Sequence, residues 1–329
     1  MRIVQLIDSL DAGGAERMAV NYANALSEKI TFSGIVATRK EGLLLEKIKN
    51  KLGYLFLNKR GSIDIASIFK LRKYCVQYKI DLIHAHSSSF FLAVLVKLTL
   101  PKVKIIWHDH YGNSEFLKNR KHFVLQFFSL FFYRILVVNQ LLLDWNKEKM
   151  FCKKVVYLQN FPEVESLEGT TELKGIKGKR IVCLANLRSQ KNIEMLIEVA
   201  KKVCGKKPDI TFHVVGKKFN DSYQEKILQQ ITNNKLKDTI FLYDSKNDIP
   251  NILSQSTFGV LTSSSEGLPV SILEYGLSKL PVVATNVGQI KEVILNEKTG
   301  FLIENNEKQA LIFLDKFLYY IIKNLIYRL

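Results

Sequence analysis

The stretch Phe258-Gly-Val-Leu-Thr-Ser-Ser-Ser-Glu-Gly-Leu-Pro-Val-Ser-Ile-Leu-Glu274 decides the fold. Its first five residues are an apolar run of strand type, and a helix containing Glu274 follows. Pro269 suits the first turn of that helix, where its missing N–H costs nothing. A helix start at the carboxyl end of a strand is where open α/β sheets hold ligands, and free N–H groups there face a diphosphate. Glu266 and Glu274 are eight residues apart, a little over two helical turns, one before the helix and one within it. Both can line one cleft wall, and carboxylates accept paired hydrogen bonds from sugar hydroxyls. The plain alternative is two solvated charges at a helix start.

Outward from this stretch the same alternation repeats. Ile181–Ala185, Ile210–Val215, Thr239–Leu242, Phe258–Thr262 and Val282–Ala284 are short buried-strand runs, with helical patterns such as Asn192–Val203 between them. Ile3–Ile7, Ile30–Ala37, Leu82–His84, Val103–Trp107 and Ile135–Val138 make an earlier series. There Ala15–Leu26 sets Met18, Ala19, Tyr22, Ala23 and Leu26 on one helical face. Strand–helix alternation implies parallel sheets covered on both sides. Pro162–Lys179, polar, charged and carrying three glycines, separates the two series. The expected fold class is α/β, with two Rossmann-like, doubly wound parallel-sheet domains facing a cleft. The expected domains are residues 1–165 and 166–310, with an apolar-basic helix over 311–329.

The 329 residues carry 48 Lys+Arg against 31 Asp+Glu, a net charge of +17. That balance points to an anionic partner: a phosphate-bearing substrate, an anionic membrane surface or nucleic acid. No RNA- or DNA-binding motif is present and the basic residues are dispersed, so nucleic acid is not expected. With 17 Gly and 6 Pro the chain is too ordinary for a disordered or collagen-like protein. Cys75, Cys152, Cys183 and Cys204 have neither CxxC nor zinc spacing, and are expected to be reduced, small buried hydrophobes. Met1-Arg2 runs straight into strand-like sequence, which suggests no secretory leader.

Two segments are unusually apolar. Phe123–Val138 has 13 apolar residues of 16, after Lys118, Arg120 and Lys121; Leu311–Leu329 has 14 of 19, with Lys316, Lys323 and Arg328. The first falls short of the roughly 18–20 clean residues of a membrane span. It reads as a buried helix running into a strand or as an interfacial helix. The second reads as a docking helix or a membrane-surface helix.

Gly13-Gly14 follows the first strand and opens the first helix, where glycine lets backbone N–H groups approach an anion. The turn lacks GxGxxG with an acidic residue about 20 positions on, against a dinucleotide oxidoreductase. Four of the six histidines lie in His84-Ala-His86 and His108-Asp-His110, each at the end of a strand. Beside Asp109 they could hold a metal. They are better read as groups that bond sugar hydroxyls, with satisfied structural histidines as the plain alternative.

Glu266-Gly-Leu-Pro-Val-Ser-Ile-Leu-Glu274 resembles the Glu-x7-Glu signature of glycosyltransferase family 4, the retaining nucleotide-sugar transferases of GT-B fold. Pro281-Val-Val-Ala-Thr-Asn-Val-Gly288 with Glu292, and Thr299-Gly-Phe-Leu302, are similar to the family's downstream segments. Ala185-Asn-Leu-Arg-Ser-Gln-Lys-Asn192 is similar to its diphosphate-binding lysine turn, and Gly13-Gly14 matches its glycine pair. The resemblance covers roughly residues 1–304. It implies that Glu274 bonds the nucleotide ribose, and that Glu266 with the N–H groups of Gly267 and Leu268 grips the donor sugar. It implies that Lys191 neutralises the diphosphate, with Gly13 and Gly14 approaching from the other domain. Arg188 assists, since the family often has an arginine where Asn186 stands. The family also carries a histidine after the His108-Asp-His110 strand; His110 is the first choice for it and His108 the second. No metal or other cofactor is implied for donor binding.

The expected catalytic residues are His110, Glu266 and Lys191. The implied reaction transfers a sugar from a nucleotide-sugar donor to a saccharide acceptor with retention, by same-face attack assisted by the departing phosphate. Residues 101–160, with ten Lys/Arg against four Asp/Glu, and the Phe123–Val138 segment among them fit a lipid-linked acceptor in surface polysaccharide assembly, at the cytoplasmic face of the membrane; a soluble acceptor is the other possibility. A nucleotide-sugar epimerase of the same architecture is one alternative. A truncated, non-catalytic relict is another, since only about 25 residues follow Glu304.

Overall fold

A computed structural model describes residues 1–49, 53–162 and 169–304. The chain divides into two compact units, Met1–Glu163 and Val164–Leu329.

The first unit contains β1 (Arg2–Ser9), α1 (Gly14–Ser27), β2 (Phe32–Lys40), β3 (Tyr54–Phe56), α2 (Ile65–Gln77), β4 (Leu82–His86) and α3 (Phe90–Thr99). It continues with β5 (Lys104–Asp109), α4 (Phe123–Phe128), β6 (Arg134–Val137), α5 (Gln140–Lys149) and β7 (Val155–Tyr157). Its seven strands pair in the order β3-β2-β1-β4-β5-β6-β7, all parallel. The order reverses beside β1, the topological switch point of a doubly wound sheet.

The second unit contains β8 (Arg180–Leu184), α6 (Ile193–Lys206), β9 (Thr211–Val215), α7 (Ser222–Asn233), β10 (Ile240–Tyr243) and α8 (Ile249–Ser254). Then come β11 (Phe258–Leu261), α9 (Val270–Leu277), β12 (Val282–Thr285), α10 (Ile290–Val293) and β13 (Gly300–Ile303). The order is β10-β9-β8-β11-β12-β13, again all parallel. Both faces of this sheet are covered. Ile181 and Cys183 enter one core with Leu196, Ile197 and Phe212. Val182 and Leu184, one residue out of phase, enter a second with Ile252, Ile272 and Tyr275. Period-two alternation buried on both sides is why these strands are continuous apolar runs in the sequence.

Every strand read from the sequence is present, with ends shifted by at most three residues. The edge strands β3, β7 and β13 carry no comparable signal, being three or four residues long and mostly half-buried. Helix starts are set by side chains: Asp64 accepts from Ser67 N–H at 3.0 Å, Asn139 from Leu142 N–H at 2.8 Å and Asp221 from Gln224 N–H at 3.0 Å. Pro269 departs from expectation. It is the extended residue before α9, with φ −69° and ψ 130°, and not part of the first turn.

The Phe123–Val138 segment is a helix, then a 3₁₀ turn over Ser129–Phe131, then β6. Only part of it is interior: Leu125 and Phe132 are buried, while Phe123, Val124, Phe127 and Leu130 are exposed. The expected helix over 311–329 lies outside the described residues. No helix among the described residues is long and apolar enough to cross a membrane. Cys75 and Cys183 are buried as expected, whereas Cys152 and Cys204 are half-buried; all four are free thiols.

Candidate functional site

In the second unit the switch point lies between β8 and β11, which pair through Ile181–Phe258 and Val182–Gly259. The loops leaving their carboxyl ends, 185–192 and 262–269, therefore run side by side. They are bonded together: Ser264 N–H to Gln190 O at 2.8 Å, Gln190 Nε2 to Ser265 O at 2.7 Å and Thr262 Oγ1 to Lys191 O at 3.0 Å. This brings Lys191 Nζ to 2.5 Å from Glu266 Oε1, which also accepts from Ser263 Oγ at 2.6 Å. Only 20% of the Lys191 side chain and 6% of the Glu266 side chain are exposed, so water screens this pair little.

Asn192, next in the chain after Lys191, starts α6. Its backbone is left-handed, φ 47°, as the cap of α6, and its Oδ1 accepts from Met195 N–H. Gly288 supports Glu266. Its φ is +56°, and a Cβ there would lie 2.3 Å from Glu266 O and 2.4 Å from Gly267 O. Gln289 N–H then bonds Gly267 O at 3.0 Å. These contacts make Gly288 a site-shaping residue; the sequence reading placed it only in a similar downstream segment. Leu268 is buried and Glu274 is half-buried on α9. The neighbouring Tyr275 hydroxyl accepts from Leu184 N–H at 2.8 Å and donates to Val260 O at 3.3 Å. Arg188 is exposed, with its guanidinium 4.4 Å from the Phe219 ring centre. Asn186 is structural: its Oδ1 accepts from Lys217 N–H at 2.7 Å. Burial pushes the Cys183 thiol up to about 12, so it is not a nucleophile.

In the first unit the switch point lies between β1 and β4. Gly13 and Gly14 follow β1; Gly13 is extended, φ −125°, capping α1. A Cβ on Gly13 would meet the Glu16 carboxylate, whereas one on Gly14 would meet nothing within 4 Å. His84 and His86 end β4, His108 lies near the end of the neighbouring β5 and His110 directly follows it, in a register that sets His86 opposite His108. Gln5 of β1 is opposite His84. The four imidazoles form one group: His84 Nε2 to His108 Nδ1 is 3.2 Å, His86 Nδ1 to His110 Nε2 is 3.0 Å, and His86 Nε2 to Gln5 Oε1 is 2.9 Å. Tyr22 packs against His84 and His108, ring centres 5.2 and 5.8 Å away.

Burial lowers the proton affinity of all four, His84 and His110 to about 3 and the other two well below the ordinary imidazole value, with the neighbouring imidazoles adding to the effect at His84, His86 and His108. The group is neutral at pH 7. His108 Nε2, Tyr22 Oη and Gln5 Nε2 are buried with no hydrogen-bond partner among the described residues. Such unmet groups are what a bound hydroxylated ligand would satisfy. Ring nitrogens of His84, His86 and His108 lie within 4.8 Å of one another, close enough to hold an ion. Asp109 is not part of that set. It points the other way, gripped by Arg120 at 2.7 and 2.9 Å and by Asn146 Nδ2 at 3.0 Å. Arg120 in turn lies against Tyr111 and Trp145, 4.2 and 4.5 Å from the ring centres. The sequence reading missed Gln5, Tyr22 and Arg120, because strand register and loop return bring them in.

Two family models match the chain: Glycosyltransferase Family 4 over residues 12–160 and Glycosyl transferases group 1 over residues 171–314. An Escherichia coli UDP-Gal:alpha-D-GlcNAc-diphosphoundecaprenol alpha-1,3-galactosyltransferase is 29% identical, over 76% of this chain and 69% of that protein. The E. coli O-antigen biosynthesis glycosyltransferase WbnH is 25% identical over 94% of this chain and 88% of its own. Among solved structures, Anabaena HepE in complex with UDP and glucose superposes with a TM-score of 0.77 at 18% identity, over 96% of this chain and 89% of that one. That likeness shows the GT-B architecture.

Proposed function

This chain belongs to the family 4 glycosyltransferases of GT-B fold, and we propose that it transfers a hexosyl group from a nucleotide sugar to a saccharide acceptor with retention of configuration. The observation that carries this reading is the Lys191–Glu266 pair at the switch point of the second unit. Without donor, each charge neutralises the other. A diphosphate brings more negative charge than one carboxylate and draws the ammonium to itself, leaving Glu266 to accept hydrogen bonds from the donor sugar. Lys191 and the start of α9 then stabilise the charge that develops on the leaving phosphate. Glu274 bonds the ribose, Gly267 and Leu268 offer backbone N–H groups to the sugar, and Arg188 is the second cation. In this reading no metal is needed for donor binding.

The unit over residues 1–165 is the acceptor-binding domain and residues 166–310 the donor-binding domain in this proposal. Gly13 and Gly14 let the backbone come close to the donor phosphates. His110, neutral and at the rim of its group, orients the acceptor hydroxyl. The departing phosphate takes the acceptor's proton as the new bond forms on the face the nucleotide leaves. The activities of the relatives, on a diphosphoundecaprenol-linked sugar and in O-antigen biosynthesis, support surface polysaccharide assembly on a lipid-linked acceptor. In this reading the enzyme works at the inner face of the cytoplasmic membrane. UDP with glucose in HepE supports a UDP-sugar donor.

The test is a thermal-shift panel of UDP-, GDP-, ADP- and CMP-sugars on the wild type and on Lys191→Ala. One nucleotide class raises the melting temperature of the wild type and not of the variant. A chain that responds to none of them, or a variant that responds fully, overturns the donor site.

A further inference from the structure

α4 and the 3₁₀ turn after it are attached to the first unit by one face only. Leu125 is buried, and the Phe128 ring lies 5.2 Å from Phe91 and 6.1 Å from Phe90. Gln126 Nε2 bonds Lys149 O at 2.6 Å, and Ser129 Oγ accepts from Phe151 N–H at 2.9 Å. The outward face is apolar: Phe123 is 78% exposed, Val124 63%, Phe127 56% and Leu130 60%. Residues at these spacings share one side of a helix, and Phe151, also exposed, is fixed beside them through Ser129. Scattered exposed apolar side chains are ordinary; a ridge of them is not.

The rim of the ridge is basic. Lys118 and Lys121 are exposed just before it, and Lys153 and Lys154 are exposed just after Phe151. Lys104 and Lys154 flank the Tyr133 ring at 4.6 and 5.3 Å. Residues 101–160 hold ten Lys/Arg and four Asp/Glu, and one of those acids, Glu148, is already paired with Lys149 at 2.7 Å. Aromatic and aliphatic tips framed by ammonium groups match a bilayer with anionic headgroups. A second copy of this chain fits poorly, because it would bring like charge to the rim.

We propose that the Phe123–Leu130 ridge is the membrane-docking surface of this protein, its apolar tips entering the headgroup–acyl boundary and Lys118, Lys121 and Lys154 meeting anionic headgroups. The lipid-linked acceptor reading supplies the purpose of this surface. Its physical test is independent of that reading, because vesicle binding needs no sugar donor.

The experiment sediments the full chain with vesicles of phosphatidylglycerol and phosphatidylethanolamine, and with phosphatidylcholine alone, without nucleotide. Wild type is expected to pellet with the anionic vesicles, less so in high salt, and weakly with phosphatidylcholine. Phe123→Ser with Phe127→Ser is expected to lower partitioning at least about tenfold, with near-ultraviolet circular dichroism and any UDP-induced thermal shift unchanged. As a second readout, Phe127→Trp in otherwise wild-type protein should be quenched by brominated lipid. Wild type that stays in the supernatant, a double variant that pellets like wild type, or a tryptophan that brominated lipid does not quench would each overturn the proposal. So would self-association of the wild type that the double variant abolishes, which would make the ridge an interface between copies. Loss of the UDP shift with vesicle binding intact would overturn the donor reading instead.

Discussion

The ammonium of Lys191 lies 2.5 Å from a carboxylate oxygen of Glu266, although 75 residues separate them in the chain. Charge on this scale, largely out of solvent, decides both what the site can bind and what its loss would cost.

Lys191→Ala removes the cation and leaves the nearly buried Glu266 accepting from the Ser263 hydroxyl. Transfer should fall about 100-fold or more, the size expected when a stabiliser of leaving-group charge is lost. Lys191→Arg, whose fork does not match a single point contact, should recover only part. Initial rates with a labelled donor measure both. Full activity in the alanine variant would remove Lys191 from the mechanism.

Glu274 is half-buried on α9 and holds no core position. Glu274→Ala should therefore leave the melting temperature nearly unchanged and raise the donor KM about tenfold or more, the loss of one or two hydrogen bonds from a charged acceptor. An unchanged KM would end the assignment of Glu274 to the ribose.

Gly288→Ala places a methyl group where two carbonyl oxygens already stand, at a φ that disfavours side chains. A cost of about 2–4 kcal/mol is expected, seen in urea unfolding. Nucleotide-sugar binding should weaken as well, because the displaced carbonyls belong to Glu266 and Gly267. Normal stability would mean the loop moves aside without resistance.

The buried histidines make the fold acid-sensitive. His84, His86, His108 and His110 bind protons more weakly folded than unfolded, so the unfolded chain takes up protons first as the pH drops. Their stabilisation is complete above the unfolded value near 6.5 and is lost as the pH falls from there toward about 3. Each imidazole contributes at most about 1.4 kcal/mol per pH unit within that window. Melting temperature should be level from pH 8 to 7 and fall steeply by pH 5. A flat profile to pH 5 would show the group already open to water.

Chelation tests the absence of a metal requirement. Transfer should persist in EDTA with rates within about twofold if, as proposed, Lys191 carries the role a divalent ion plays elsewhere. Abolished transfer, restored by one divalent ion, would point to the His84, His86 and His108 nitrogens.

Much of this was written along the chain. Strands buried on both faces must be short apolar runs, so Ile181–Ala185 and Phe258–Thr262 stand out in the sequence, and the Glu266–Glu274 spacing is local enough to show within one loop and the helix after it. Edge strands such as β3 and β13 escaped because half-buried residues leave weak patterning. Tertiary structure alone decided who meets whom. Lys191 reaches Glu266 because β8 hydrogen-bonds to β11, three strands on in sequence, on the side away from β9. The four imidazoles gather because β4 and β5 are neighbours in a register that places His86 opposite His108. Phe123 and Phe127 look like core residues in one dimension; only the packing of Leu125 and Phe128 inward turns them to solvent. A linear pattern records which side chains avoid water, whereas pairing across a sheet is fixed by hydrogen bonds between segments far apart in the chain.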